Sequence, residues 1–235
     1  MQALEMILSA LVTLVAAFAG AWYAFRLSDR DKARQVERGE AAAINRIQFA
    51  LIQQVNILKL IQAQSIDPVR DHPGRFIAMR ALLPVRERRP RLDADCLSFL
   101  LETEDRELPF AVMIEQDRFE TALQAVDERS RFHLDVVQPR LAAAGIRERV
   151  DYLPGDVKSA LGEDVLLRLQ RATGEAILHV DRTIESTSSL VATLHRAMKA
   201  RYPRQQFIRL GENKPSNTPL QPTSGEPDVS LAKQS

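Results

Sequence analysis

The residues that could do acid–base or metal chemistry are few in this 235-residue chain. Its four histidines are His72, His133, His179 and His195. None completes a Glu-x-x-His or His-x-x-x-His pair, so neither a di-iron bundle site nor a zinc site is indicated. Glu175 and His179 are one helical turn apart, which a hydrogen bond on a helix surface explains. We therefore expect no catalytic residue, no metal site and no cofactor.

One stretch comes close to a nuclease pattern. Arg129-Ser130-Arg131-Phe132-His133 resembles the motif of HEPN-class RNases, in which four to six residues separate an arginine from the histidine that follows it. Here the gap is three residues or one, and a salt-bridged helix face explains the same residues. The glycines stand singly, without a phosphate-binding loop. An enzyme with an unrecognised site, HEPN-like first, is therefore only the second alternative, and we expect a protein that is not an enzyme.

Charge and cysteine content bound the partners. The chain has 32 basic and 31 acidic residues, so no overall field favours nucleic acid, which we do not expect as a partner. A single cysteine, Cys96, excludes a disulfide framework and fits a reducing compartment, where we expect it to be a small core residue.

Two neighbouring blocks of opposite charge stand in the middle of the chain. Residues 70–91 are rich in arginine, and residues 92–107 are rich in Asp and Glu. Mutual neutralisation, within one chain or between protomers, is the simplest interpretation. The alternative is contact with an anion or a lipid headgroup through Arg86, Arg88, Arg89 and Arg91. A second basic run, Arg196, Lys199, Arg201, Arg204 and Arg209, falls at a helix C-terminus, where the helix dipole stabilises positive charge.

The first 25 residues predict a membrane anchor. Residues 6–25 carry no charge, and a helix of this length is roughly 30 Å long, enough to cross the hydrocarbon core. Interfacial anchors are expected at Trp22, Tyr23, Arg26 and Arg30. No Lys or Arg precedes the span, so the positive-inside rule places the N-terminus outside and the remaining domain in the cytoplasm of a bacterium, as a single-pass protein of the inner membrane. A cleaved signal peptide and a buried helix of a soluble protein are the alternatives.

The predicted span also carries small residues on two neighbouring faces. They are Ser9, Thr13, Ala16, Ala17, Gly20 and Ala24. In lipid, small residues allow two helices to approach closely. We therefore expect these residues to pack helix against helix in a homo-oligomer, with the lipid bilayer as a further partner.

The rest of the chain predicts an all-α fold: one transmembrane helix followed by an antiparallel bundle of long helices. One apolar stripe runs through Ile44, Ile47, Leu51, Val55, Leu58 and Ile61, a second through Phe119, Leu123, Val126, Leu134 and Val137, and a third through Ile177, Val180, Ile184, Thr187, Val191, Leu194 and Met198. Helices that are apolar on one side must bury those sides against each other. We divide the chain into an anchor (1–25), a juxtamembrane and amphipathic helix (26–66), the remaining helical domain (67–210) and a proline-rich disordered tail (211–235).

The layout resembles bacterial single-span, membrane-anchored helical proteins of uncharacterised function. The segments that carry this resemblance are FAGAWYAF, IDPVRDHPGRFIAMR and DRFETALQAVDERSRFHLD. The architecture also looks like membrane effectors of bacterial antiviral systems, some of which form pores. The leading hypothesis is a membrane-anchored helical scaffold that self-associates or docks a protein partner through its helical domain. The first alternative is an oligomeric effector that permeabilises the bilayer on a trigger.

Overall fold

A computed structural model describes residues 2–82, 90, 92–146 and 154–210, and within these ranges the side chains of residues 2–13, 94 and 154 are not described. All regular structure in the described residues is helical. The α-helices are α1 (Gln2–Ile61), α2 (Arg75–Ala78), α3 (Leu108–Phe132), α4 (Gln138–Ala143), α5 (Pro154–Leu161) and α6 (Glu163–Arg201). The prediction of an all-α fold is confirmed.

Two long helices change from α-helix to a π-helical turn just before a proline. The α1 helix runs unbroken through Gly39 and ends in a π-turn at Gln62–Ile66, just before Pro68. A second π-turn, His133–Val137, separates α3 from α4 and precedes Pro139. Proline lacks an N–H and clashes with the carbonyl four residues earlier, and a π-turn is one way in which a helix accommodates that conflict.

The core lies between α1, α3 and α6. All six residues of the predicted α1 stripe are buried, and so are Val180, Val191, Leu194 and Met198 of α6. The α3 stripe is buried except for Leu134, which is 39% exposed. Leu134 lies inside the second π-turn, where the extra residue per turn rotates the following side chains out of register.

The three long helices are not all antiparallel. Asn45 of α1 contacts Gln206 just after α6, whereas Gln62 contacts Asp181, so α1 and α6 run in opposite directions. Gln54 of α1 donates a hydrogen bond to Gln116 of α3. Further along α1, Leu58 and Ile61 belong to the same buried cluster as Phe119 and Leu123 of α3. Helices α1 and α3 are therefore parallel, because the segment between them returns along the whole bundle before α3 begins.

The prediction of a membrane span is wrong. No helix in the described part of the chain is both long and apolar enough to cross a bilayer. The predicted location in the inner membrane, with the N-terminus outside and a cytoplasmic domain, is therefore also wrong.

Candidate interaction surfaces

The first candidate surface is the N-terminal arm, which we define as residues 14–36 of α1. Every side chain in the arm is exposed, although its sequence includes some of the largest apolar residues of the chain. Phe18 is 77% exposed, Phe25 67% and Trp22 55%. The bundle begins to cover α1 only near Glu37 and Glu40. The arm is therefore a helix whose apolar residues have no packing partner within the described residues.

The arm has two distinct faces. At about 100° per residue, Val15, Phe18, Trp22 and Phe25 fall on one side of the helix. This large-residue face continues into the stripe that α1 buries in the bundle, at Ile47 and beyond. Ala16, Gly20 and Ala24 lie on the opposite side. A Cβ placed at Gly20 would meet no atom within 4 Å.

The residues predicted as membrane contacts mostly lie in this arm. The guanidinium of Arg26 lies 4.9 Å from the centre of the Trp22 ring, so these two predicted anchors contact each other. Tyr23 and Arg30 are exposed, as are Ala16, Ala17, Gly20 and Ala24. The side chains of Ser9 and Thr13 are not described, and helix packing through the small residues stays a prediction.

The second candidate surface is a basic cleft of about 580 Å³ at the C-terminal end of α6. One wall is α6 itself, and the other is the C-terminal strap, which we define as residues 202–210. The strap turns back after Tyr202 and lies along α1. Tyr202 donates a hydrogen bond to Glu40, and Asn45 both donates to the carbonyl of Gln206 and accepts from the amide of Ile208, each at 3.0 Å.

A histidine and a lysine of α6 hold the strap in place. Lys199 donates to the carbonyl oxygens of Pro203 and Gln205, each at 2.8 Å. Nδ1 of His195 lies 3.2 Å from the carbonyl oxygen of Ile208, and its Nε2 lies 2.9 Å from Nε of Arg209. Since the arginine must donate and the carbonyl must accept, we assign His195 as the neutral ring with its proton on Nδ1.

Arg70 belongs to the arginine-rich block, residues 70–91, but it pairs with acidic residues that lie outside the acidic block, residues 92–107. Arg70 pairs with Asp67 at 3.0 Å and with Asp181 of α6 at 2.6 Å. Arg70 holds the pKa of Asp181 below its usual range, chiefly through this hydrogen bond. Arg86, Arg88, Arg89 and Arg91 lie outside the described residues, so their contact with an anion or a lipid stays a prediction.

The nuclease-like stretch is packed into the interior. Arg129, Ser130 and His133 are at most 2% exposed. Arg129 donates to the carbonyl oxygens of Phe76 and Met79, and Ser130 accepts from the amide of Leu82. Residues 76–82 thus cover this part of α3, which leaves the Arg129 and His133 side chains without access to a polymer such as RNA.

Other polar groups also serve packing. Glu115 of α3 is 4% exposed and accepts hydrogen bonds from Ser186 and Thr187 of α6 and from Arg118. Cys96 is half-buried, with its Sγ 2.8 Å from the carbonyl oxygen of Asp93, and burial raises the pKa of its thiol. Among the described residues, no group of three His, Cys, Asp or Glu side chains could hold a metal ion.

The sequence signals for the two walls of the basic cleft, α6 and the strap, differ in strength. The basic run that lines the cleft is visible in the sequence as Arg196, Lys199 and Arg209, but the helix dipole alone is enough to explain positive charge at this position. The return of the strap onto α1 had no signal that we recognised, because it depends on contacts between residues about 160 positions apart.

No protein-family model, curated protein or solved structure matches this chain. The resemblances to membrane-anchored helical proteins and to antiviral effectors therefore stay untested.

Proposed function

We propose that this protein is a non-catalytic helical interaction protein that self-associates through the large-residue face of its N-terminal arm. The exposure of Phe18, Trp22 and Phe25 carries the proposal. A contiguous apolar surface of this kind marks an interaction site. Each large side chain that becomes buried contributes about 1.5–3 kcal/mol.

The occupant that fits this face best is a second copy of the same arm. Val15, Phe18, Trp22 and Phe25 follow the alternating three- and four-residue spacing of a coiled-coil seam. The next two seam positions are Asp29 and Lys32. In a parallel pair each would face its own copy, which is a repulsive arrangement.

An antiparallel pair avoids that repulsion. If the arms cross near Gly20, Phe18 of one chain lies against Trp22 of the other, and Val15 lies against Phe25. Asp29 and Lys32 then no longer face their own copies. The small-residue face remains outside, which separates this arrangement from the small-residue packing expected in lipid.

Several observations support a non-catalytic role. The buried polar groups Glu115 and Arg129 are engaged in contacts between helices. The one sequence stretch with a nuclease-like spacing lies beneath residues 76–82. A protein partner at the bundle is compatible with this role.

Sedimentation of the full chain tests the proposal. We expect the wild type to show about twice the 26.4 kDa chain mass. A double variant, Phe18→Ala with Trp22→Ala, should shift the protein to the monomer mass without changing unfolding of the bundle, because neither side chain packs on it.

Two control variants separate the alternatives. Phe49→Ala removes another exposed phenylalanine of α1, 53% exposed and on the outside of the bundle, and should leave the mass unchanged. Gly20→Ile alters the small-residue face and should also leave it unchanged. A monomeric wild type would refute self-association, and dissociation by Gly20→Ile alone would move the contact to the small-residue face.

A further inference from the structure

The basic cleft combines an apolar floor with a positively charged rim. Val191 and Ala192 of α6 and Leu210 of the strap form the floor, and His195, Arg196, Lys199 and Arg209 form the rim. Among the described residues, none that lines the cleft is acidic. Its volume, about 580 Å³, falls within the range of sites that hold small molecules.

The rim leaves donors free for a ligand. Nε of Arg209 is engaged by His195, which fixes the direction of the side chain and leaves both terminal nitrogens of its guanidinium unpaired in the described part of the chain. Arg196, which is exposed, has no protein partner there either. Two arginines in this state present the planar forks that bind carboxylate or phosphate.

Two further charged clefts in the described part of the chain offer weaker sites. The cleft between α3 and α6 is lined by both signs, with Asp117 and Glu185 beside Arg118 and Arg182, so its charges offset one another. The cleft beside Glu102, Glu104 and Asp105 is an acidic cluster without a further feature that indicates a ligand. The basic cleft, in contrast, combines positive charge with apolar surface, and this combination favours an anion that carries an apolar group.

We propose that the basic cleft binds a small organic anion with an apolar body, whose charged head pairs with Arg196 and Arg209. The head is a phosphate monoester or carboxylate, and the body, an aromatic ring or a short acyl chain, lies on Val191 and Leu210. The proposal does not depend on self-association, because none of the residues that line the cleft belongs to the arm.

Isothermal titration of the full chain with phenyl phosphate tests this site. We expect saturable binding at one site per chain. Inorganic phosphate supplies the head alone and benzyl alcohol the body alone, and each should bind at least tenfold more weakly than phenyl phosphate. Equal binding of phosphate and phenyl phosphate would contradict the role of the apolar floor.

Matched arginine variants locate the site. Arg196→Gln with Arg209→Gln should weaken phenyl phosphate binding at least tenfold. Arg204→Gln, at an exposed strap arginine outside the cleft, should change it less than twofold. Ala192→Trp fills the cleft and keeps every charge, and it should also abolish binding. Absence of saturable binding to the wild type, or equal losses in the Arg204 and Arg196/Arg209 variants, would overturn the proposal.

Discussion

Nη2 of Arg129 lies 3.0 Å from the carbonyl oxygen of Phe76, and the same nitrogen also donates to Met79. The arginine is fully buried, and burial lowers its pKa to about 10, so it remains charged at neutral pH. Its hydrogen bonds go to backbone carbonyls and to Thr173 of α6. One side chain thus joins α3 to α2, to the residue that follows α2, and to α6.

Replacing this arginine should destabilise the bundle. Arg129→Ala leaves a cavity and removes the donor to the carbonyl oxygens of Phe76 and Met79, and we expect a loss of about 3 kcal/mol in the free energy of unfolding. Arg129→Lys keeps a positively charged donor but not the planar guanidinium group, and it should lose less stability than Arg129→Ala. Urea denaturation measures both, with the exposed Arg131→Ala as a control expected within about 0.5 kcal/mol of wild type. Equal stability of the Arg129 and Arg131 variants would contradict the prediction.

The ion pair between Arg70 and Asp181 should make the free energy of unfolding depend on pH. Because Arg70 lowers the pKa of Asp181 in the folded state, the stabilisation is present at neutral pH and is lost as the pH falls through that lowered pKa. We expect Asp181→Asn to cost about 1 kcal/mol or less at pH 7, since both side chains are about one-third exposed.

A pH series of unfolding experiments checks this effect. The difference between wild type and Asp181→Asn should shrink on acidification. Asp67→Asn is a matched control, since Asp67 binds the same arginine but is 51% exposed, and it should show a smaller loss. A difference that stays constant down to strongly acidic pH would exclude the ion pair as its cause.

Local patterns predicted the helices well, because each stripe repeats at helical spacing and each stop is marked by proline or glycine. Gly145, which follows α4, has a φ of 75°, a backbone conformation that favours glycine at the end of a helix. The relative direction of α1 and α3 was not predictable in the same way. It depends on a connection that runs the length of the bundle, and nothing in its local sequence specifies that path.

The buried Glu115 should contribute to holding α3 against α6. Its Oε2 accepts from Ser186 at 2.7 Å and from Thr187 at 2.8 Å. Glu115→Gln removes the charge that these hydroxyls and Arg118 stabilise, and we expect a loss of about 1–3 kcal/mol in the free energy of unfolding. Thermal and urea unfolding measure it. Glu120→Gln, on the exposed side of α3, should change stability by less than about 0.5 kcal/mol, and similar losses in the two variants would refute this role for Glu115.

Thr187 shows how part of this contact could have been anticipated. It is the polar member of the apolar stripe on α6, and a polar residue at a buried position requires a hydrogen-bond partner. The sequence does not indicate which of the many acidic residues supplies that partner. The candidate surfaces have the same limitation: the exposed arm follows from where the other helices end, and the basic cleft follows from the return of the strap.

The orientation of the paired arms can be measured by disulfide cross-linking. With Cys96→Ser as the background, the chain has no other cysteine, so each engineered thiol reports one contact. In the antiparallel pair, Val15 of one chain lies against Phe25 of the other. A mixture of Val15→Cys and Phe25→Cys chains should therefore form a mixed disulfide under mild oxidation.

Each variant alone should remain uncross-linked, because ten residues of helix separate positions 15 and 25 by about 15 Å, far beyond disulfide reach. In a parallel pair, each variant would instead cross-link to its own copy, and the mixture would add nothing specific. Non-reducing electrophoresis with mass spectrometry of the linked peptides distinguishes these patterns. Homodimers of Val15→Cys would require the parallel arrangement, in which Asp29 faces Asp29 and Lys32 faces Lys32, and raising the salt concentration should then strengthen the association by screening those like charges.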